Sequence, residues 1–167
     1  MEKYYVAYGS NLSMEQMAKR CPDAIYVGTA KLKDYQLLFK KGKTGSYLTV
    51  EPRKDSIVPV LVWRISERDE HYLDRYEGYP SLYYKKMIEI EVYSFINEKA
   101  EAGHKQQALI YIMYESNPFG CPTKDYYEIC LEGYERFRFE KAILEKALVD
   151  SVGQQTADCL LGKDKKY

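Results

Sequence analysis

Four β-prone runs between residues 24 and 65 set the strongest limit on the fold of this chain. Turn residues separate them, namely Lys33-Asp34, Gly42 with Gly45, and the stretch from Pro52 to Pro59; the runs are residues 25–32, 35–40, 46–51 and 58–65. Short strands punctuated in this way favour an antiparallel meander. Residues 4–8 are β-prone and apolar on both alternating faces, which is typical of a strand covered on both sides.

Helical patterns flank these strands. Ser13 and Gln16 have the form of a capping box that opens a helix ending at Cys21-Pro22, and Ser66 opens a second helix that Gly78 ends. Residues 82–96 and 107–114 predict two more strands joined by a polar connection, residues 97–105, and further helices follow Thr123 or Asp125 and cover residues 142–148. The chain therefore predicts an α+β fold, with a mostly antiparallel mixed sheet or small barrel flanked by helices.

Length and charge limit the classes of function. The chain has 167 residues, and we predict a single domain over residues 1–150 followed by a C-terminal tail, residues 151–167. Lys plus Arg equals Asp plus Glu at 25 each, and the apolar runs fall short of the roughly 18 residues of a membrane helix. We therefore expect no nucleic-acid partner and no membrane insertion. Four cysteines without a CxxC pair, and no signal-peptide stretch after Met1, predict a cytoplasmic protein with free thiols.

The segment Tyr8-Gly9-Ser10-Asn11-Leu12 lies between the first predicted strand and the first predicted helix. A glycine-containing turn at such a position directs several backbone N–H groups at one point, beside the positive end of the helix dipole, and this suits an anion. The segment lacks the Walker and dinucleotide patterns, so a single carboxylate fits better than a pyrophosphate. A plain turn is the alternative that the spacing leaves open.

Glu77 is the second candidate, at the end of the helix that Ser66 opens. Leu73 precedes it by four residues, so the two side chains share one face of the helix, and Glu77 points inward if that face is buried. Burial raises the pKa of a carboxylate, which can then move protons near neutral pH. A solvated glutamate at a helix end is the alternative reading.

Other catalytic arrangements have little support. Neither His71 nor His104 has a Cys or His at ligand spacing, so we expect no metal, and Ser10 lacks the GxSxG elbow of a hydrolase nucleophile. Eighteen residues are Tyr, against five Phe and one Trp. Because the tyrosine hydroxyl needs water or a partner, this excess fits either a polar cavity with aromatic walls or half-buried strands.

The first and second candidates together resemble the γ-glutamylcyclotransferase family, which includes γ-glutamylamine cyclotransferases and AIG2-like proteins. The resemblance lies in Tyr-Val-Ala-Tyr-Gly-Ser-Asn-Leu, residues 5–12, and in Leu-Asp-x-x-Glu-Gly, residues 73–78. Tyr84, seven residues after Glu77, and Tyr126, seven before Gly133, are similar to the family's spacing for tyrosines that line a glutamyl pocket. The resemblance covers the chain from about Tyr4 to Gly133.

The resemblance implies a γ-glutamylcyclotransferase-like fold and an enzyme without a cofactor, of the acyltransferase or cyclising lyase type. Its substrate would be a small γ-glutamyl compound, whose α-amine attacks its own γ-carbonyl and releases 5-oxoproline with a free amine or amino acid. Glu77 would be the general acid/base. The implied substrate-binding residues are Tyr8, Gly9, Ser10, Asn11, Leu12, Tyr84 and Tyr126.

The resemblance leaves the leaving group open between an amino acid, the ε-amine of lysine and a γ-glutamylated biosynthetic intermediate. The alternative function is a non-catalytic or differently specific family member that binds a small acidic metabolite through the loop of residues 8–12. A third reading is a protein-interaction module that uses a Tyr-rich surface. We expect a monomer or a homodimer.

Overall fold

The computed structural model describes residues 2–96, 99–100 and 103–163. Within these ranges the chain forms strands, helices and a short 3-10 turn, Ser10–Leu12. The strands are β1 (Lys3–Ala7), β2 (Ile25–Lys41), β3 (Ser46–Ile65), β4 (Tyr83–Val92), β5 (Phe95–Ile96), β6 (Lys99–Ala100) and β7 (His104–Met113). The helices are α1 (Met14–Arg20), α2 (Glu67–Glu77), α3 (Lys124–Arg136), α4 (Lys141–Val152) and α5 (Gln154–Leu160).

Five strands form one mixed sheet in the order β2-β3-β1-β7-β4, and β5 pairs with β6 separately. β1 lies at the centre, antiparallel to β3 and parallel to β7, and the other neighbours are antiparallel. The central place of β1 agrees with its apolar residues on both faces. In the described ranges the edge strands β2 and β4 pair through no ladder, although Thr29 forms an isolated bridge with Tyr93 next to β4. The sheet is therefore open. Of the two predicted forms, the mixed sheet flanked by helices is confirmed, and the structure does not form the small barrel.

Two long strands replace the four short runs predicted between residues 24 and 65. β2 and β3 pair along almost their whole length, with a register shift between Lys33 and Tyr35. Asp34 and Asp55 adopt positive φ angles of 63° and 64°, and the Asp34 carboxylate accepts from the Asp55 N–H at 2.9 Å. Aspartate tolerates this left-handed conformation, so Asp34 and Asp55 produce irregularities inside one ladder and do not end the strands. The predicted turn at Gly42 and Gly45 does separate β2 from β3.

Helix ends follow the residues that the sequence indicated. The Ser13 side chain accepts from the Gln16 N–H at 3.2 Å, and Thr123 caps α3 in the same way. Ser66 and Asp69 form a reciprocal capping box at the start of α2. Gly78 ends α2 in the left-handed conformation, at a φ of 67°, which glycine adopts at little cost.

The later strands and the C-terminal segment differ from the predicted boundaries. The strands predicted over residues 82–96 and 107–114 are β4 and β7, while residues 97–98 and 101–102 of the predicted connection lie outside the described residues. The predicted helix over residues 142–148 is part of α4, and α5 lies within the predicted tail, whose residues 164–167 are also outside the described ranges. No helix in the described part of the chain has the length and hydropathy to cross a membrane.

Candidate active site

A short loop connects the central strand to α1. β1 ends at Ala7, and the chain continues through Tyr8 and Gly9 into the buried 3-10 turn, Ser10–Leu12. In the described part of the chain, the backbone N–H groups of Gly9, Ser10 and Asn11 donate to no backbone or side-chain acceptor. Free N–H groups this close together form a site for a negatively charged group.

Gly9 leaves room for a close approach of a side chain. Its φ is −125°, so the left-handed conformation is not the reason for glycine here. A Cβ atom at this position would lie 3.3 Å from the Tyr126 hydroxyl and 3.6 Å from Leu48. The absence of a side chain at Gly9 therefore lets Tyr126 of α3 approach the loop.

The polar side chains of the loop have partners on other elements. The Asn11 amide donates to the Tyr5 hydroxyl at 3.0 Å, and the hydroxyls of Ser10 and Tyr76 are 3.0 Å apart. Arg20, the last residue of α1, donates to both Ser10 and Asn11. These contacts fix the loop against β1, α1 and α2.

A cavity of about 270 Å³ lies beside this loop. Its walls come from β1 and the loop, from the turn between β2 and β3, from the end of α2, and from β4, β7 and α3. Seven tyrosines line it, namely Tyr5, Tyr8, Tyr47, Tyr76, Tyr83, Tyr111 and Tyr126. The excess of tyrosine in the sequence therefore has a partial explanation in a polar cavity with aromatic walls.

Glu77 is the last residue of α2 and lines this cavity. Leu73, on the same helical face, is fully buried, so the inward direction of that face is confirmed. Burial raises the pKa of Glu77 to about 7, and the positive charge of Arg20 opposes this shift in part. Glu77 accepts no hydrogen bond from the described residues, so its carboxylate is available to a ligand.

Three tyrosine hydroxyls fix the wall around Glu77. Tyr8 donates to the Tyr111 carbonyl at 2.6 Å, and Tyr83 donates to the Leu48 carbonyl at 2.9 Å. Tyr126 accepts from the Leu48 N–H at 3.1 Å. Burial raises the pKa of each of these three phenols well above its usual value, so all three stay neutral near pH 7.

The structure brings most of the predicted site residues together. Six of them line the same cavity: Tyr8, Gly9, Ser10, Asn11, Glu77 and Tyr126. Leu12 does not line it, because its side chain is fully buried against Gly133 of α3. Tyr84 does not line the cavity either. Its hydroxyl donates a hydrogen bond to the Glu115 carboxylate, and its ring packs on the ring of Tyr114.

Tyr83 has the position in the cavity that the sequence analysis gave to Tyr84. Successive residues of a strand point to opposite faces, and the ladder with β7 sets Tyr83 on the cavity side. Tyr5, Tyr47, Tyr76 and Tyr111 also line the cavity and were not among the predicted site residues. The usable signal for Tyr5 was its place in the covered strand that leads into the loop of residues 8–12. The other three had no local signal beyond the abundance of tyrosine.

The titratable groups of the described residues form no cluster of three or more His, Cys, Asp or Glu side chains that could hold a metal ion. The cations Lys43 and Arg75 also line the cavity, and neither forms a salt bridge with a described carboxylate. The site thus combines one carboxylate of raised pKa with free backbone donors and neutral phenols. This arrangement suits proton transfer on a small ligand that carries an anionic group.

Known proteins are similar to this chain in sequence and in fold. A family model described as gamma-glutamyl cyclotransferase, AIG2-like, matches residues 5–136. Gamma-glutamylcyclotransferase of Homo sapiens is 32% identical over 138 residues, 77% of this chain and 68% of that protein, and its counterpart in Bos taurus is 31% identical over 136 residues with the same coverage. A solved gamma-glutamyl cyclotransferase structure matches with a TM-score of 0.71 and 26% identity, and covers 98% of this chain and 100% of its own. The chain therefore belongs to the gamma-glutamyl cyclotransferase, AIG2-like family, and the γ-glutamylcyclotransferase-like fold is confirmed.

Proposed function

We propose that this chain cyclises a small γ-glutamyl compound and releases 5-oxoproline with a free amine or amino acid. One observation carries the proposal: Glu77, with a pKa raised to about 7, is the sole carboxylate among the described residues that line the tyrosine-walled cavity. Such a group both accepts and donates a proton near neutral pH. The names of the relatives support the same reaction.

In this proposal the loop of residues 8–12 binds the α-carboxylate of the substrate. The free N–H groups of Gly9, Ser10 and Asn11 are the donors, and Tyr8 and Tyr126 contribute to the cavity wall. Leu12 supports the turn from the core, and Tyr84 lies outside the cavity, so we assign neither a direct contact with substrate.

The reaction needs a folded-back substrate and one proton carrier. The free α-amine attacks the γ-carbonyl carbon, and a C–N bond forms as the ring closes. The ionised Glu77 accepts the proton that the attacking nitrogen loses. It then donates this proton to the nitrogen of the leaving amine as the original amide C–N bond breaks. No protein nucleophile is used, and Glu77 ends in its starting ionisation state.

The tetrahedral intermediate carries a negative charge on the former carbonyl oxygen. We assign its stabilisation to a backbone N–H of the same loop, and a single donor of this kind is worth about 3 kcal/mol in other enzymes. The neutral phenols around the cavity keep it polar without adding a competing negative charge.

The test is release of 5-oxoproline from γ-glutamyl-alanine, γ-glutamyl-ε-lysine, glutathione and a γ-glutamyl amine. We expect wild type to act on at least one donor, and Glu77→Gln to lower kcat by about 10²–10⁴-fold. Because the base must be ionised, kcat/KM of wild type rises with pH through about 7.

Glu67→Gln is the matched control, since Glu67 is exposed in the first turn of the same helix. It should keep the activity of wild type. Full activity of Glu77→Gln would contradict the mechanism. A folded wild type that is stabilised by a donor but releases no 5-oxoproline would instead support the alternative of a binding protein.

A further inference from the structure

Arg20 lies behind the substrate loop and is not among the residues that line the cavity. Its guanidinium donates to the Asn11 side-chain oxygen and, at 3.3 Å, to the Ser10 hydroxyl. It also stacks on the ring of Tyr76, with its central carbon 3.5 Å from the ring centroid. One side chain of α1 therefore joins the loop to α2.

Arg20 forms no salt bridge with a carboxylate of the described residues, and the carboxylate of Glu77, whose pKa its charge lowers, is only partly ionised near pH 7. The partners of Arg20 are an amide, a hydroxyl and an aromatic ring, all of which are uncharged. A half-buried guanidinium without a salt-bridge partner still attracts an anion nearby, because burial reduces the screening of its charge by water. An anion bound at the N–H groups of the loop would feel this attraction.

We propose that Arg20 is a positioning residue, which orients the Ser10–Asn11 loop toward the cavity and supplies the positive charge that favours the substrate's α-carboxylate there. This inference rests on the proposed function, because it assumes that the loop binds this carboxylate. The planar fork of arginine suits the task, since it donates to two acceptors and stacks on a ring at the same time.

Arg20 also acts on Glu77. Its charge lowers the pKa of Glu77, against the larger effect of burial. The other titratable groups that respond to the charge of Glu77 are phenols: Tyr5 on β1, Tyr8 on the loop, Tyr76 on α2 and Tyr83 on β4. These phenols have raised pKa values and are neutral near pH 7, while Lys43 and Arg75 line the same cavity as cations. Loss of Arg20 therefore moves the pKa of Glu77 upward.

Two substitutions separate the charge from the geometry. Arg20→Met removes both, and we expect KM for the best donor to rise about tenfold, kcat to change less, and the acid limb of the kcat/KM profile to move to higher pH. Arg20→Lys keeps the charge without the fork, so its acid limb should match wild type while KM still rises several-fold. A purely structural role would not split the two readouts in this way.

Arg53→Met is the matched control, because Arg53 donates a hydrogen bond to Gln36 on the exposed part of the sheet and does not line the cavity. We expect wild-type KM and an unchanged pH profile. The inference is overturned if Arg20→Met is shown by circular dichroism to be folded and still has the KM of wild type and the same acid limb in its pH profile. If Arg20→Met does not fold, an unchanged KM in Arg20→Lys overturns it equally.

A binding measurement separates this inference from the proposed function. Titration calorimetry of γ-glutamyl-alanine with Glu77→Gln and with Glu77→Gln/Arg20→Met needs no turnover. We expect Kd to rise about tenfold in the double variant, and an unchanged Kd contradicts the role of Arg20. Absence of 5-oxoproline from wild type contradicts the proposed function alone.

Discussion

At the scale of single residues, the protonation of Glu77 couples the candidate site to the stability of the protein. Burial raises its pKa in the folded state to about 7, from an ordinary value of 4.5. The folded state therefore binds this proton more tightly than the unfolded chain does, and the resulting stabilisation is fully present below about pH 4.5. It is lost as the pH rises through about 7, where the carboxylate ionises inside the cavity.

Glu77→Gln should remove this dependence, because the amide stays neutral at every pH. At pH 8 we expect its free energy of unfolding to exceed that of wild type by about 1–2 kcal/mol, a value reduced from the full shift because Glu77 is half-buried and partly screened by solvent. At pH 4.5 the two proteins should differ little. Urea unfolding at both pH values measures the difference, with Glu67→Gln as control, and an equal offset at both contradicts it.

Single residues also show what the sequence could predict about the site. Local patterns in the sequence indicated both Glu77 and Gly9 as candidate site residues. Glu77 lies on a helical face that ends at Gly78, and Gly9 lies in a turn before a helix. Tyr84 was chosen by its spacing from Glu77, although the face of a strand depends on its register with its neighbour. Arg20 had no local signal, since its partners Ser10 and Tyr76 meet it through tertiary packing.

At the scale of elements, α3 packs against the loop of residues 8–12 through a contact that leaves no space for a side chain. A Cβ atom at Gly133 would lie 2.6 Å from the Cβ of Leu12, which is fully buried at the end of the 3-10 turn. Backbone packing of this kind fixes the distance between helix and loop. Gly133, seven residues after Tyr126, therefore has a role in packing.

Gly133→Ala should push the loop away from α3. Alanine favours the helix by about 1 kcal/mol over glycine, but overpacking at Leu12 costs about 1–3 kcal/mol, so we expect a net loss of stability of up to about 2 kcal/mol. We also expect a lower kcat/KM, because the N–H groups of residues 9–11 move. Glu132→Ala, at an exposed position of the same helix, should change neither quantity. Wild-type stability and kcat/KM in Gly133→Ala would show that the contact is unimportant.

Lys85 of β4 ties α2 to the sheet. Its ammonium lies 3.0 Å from a carboxylate oxygen of Glu70 and 3.0 Å from one of Asp74, and about four-fifths of each of these three side chains, or more, is buried. Asp74 also accepts from the Tyr111 hydroxyl at 2.6 Å, so the cluster reaches the cavity wall. The helix that ends at Glu77 is thus held by a charged cluster with little access to solvent.

Lys85→Met should leave Asp74 without its cation, while Glu70 keeps its salt bridge with Lys3 at 2.6 Å. We expect the free energy of unfolding to fall by about 1–2 kcal/mol, below the range for fully buried pairs, because some solvent remains and one of the two carboxylates keeps a cation. The control is Lys105→Met, since the Lys105–Glu89 pair on the same sheet is more than half exposed and should contribute less than about 0.5 kcal/mol. Equal effects of the two substitutions in urea unfolding would be evidence against a structural role for this cluster.

At the scale of the whole molecule, the sequence predicted the elements better than their arrangement. Alternation and capping residues located the strands and helices, because both depend on nearby residues. The parallel pairing of β1 with β7 joins residues about a hundred positions apart, and no local pattern carries it. The choice between open sheet and barrel likewise depends on whether β2 meets β4, which is decided by the packing of the whole sheet.

The C-terminal helices extend the core beyond residues 5–136, which the family model matches. α4 packs on β2, and the Ser151 hydroxyl accepts from the Phe39 N–H at 2.8 Å. Leu144 and Leu148 are fully buried in the same core as the sheet. We therefore predict that α4 unfolds together with the sheet as part of one domain.

Leu148→Ala tests this prediction. A fully buried leucine cut to alanine leaves a cavity, so we expect the free energy of unfolding to fall by about 2–5 kcal/mol. The fluorescence of Trp63, which lies on β3, and the far-ultraviolet circular dichroism of the helices should shift to the same lower urea midpoint, because one cooperative unit loses stability as a whole. Lys146→Ala removes an exposed pair with Asp150 from the same helix and should move neither midpoint by more than the equivalent of about 0.5 kcal/mol. Loss of helix signal in a separate earlier step, with Trp63 unchanged, would show that α4 is a unit apart from the sheet.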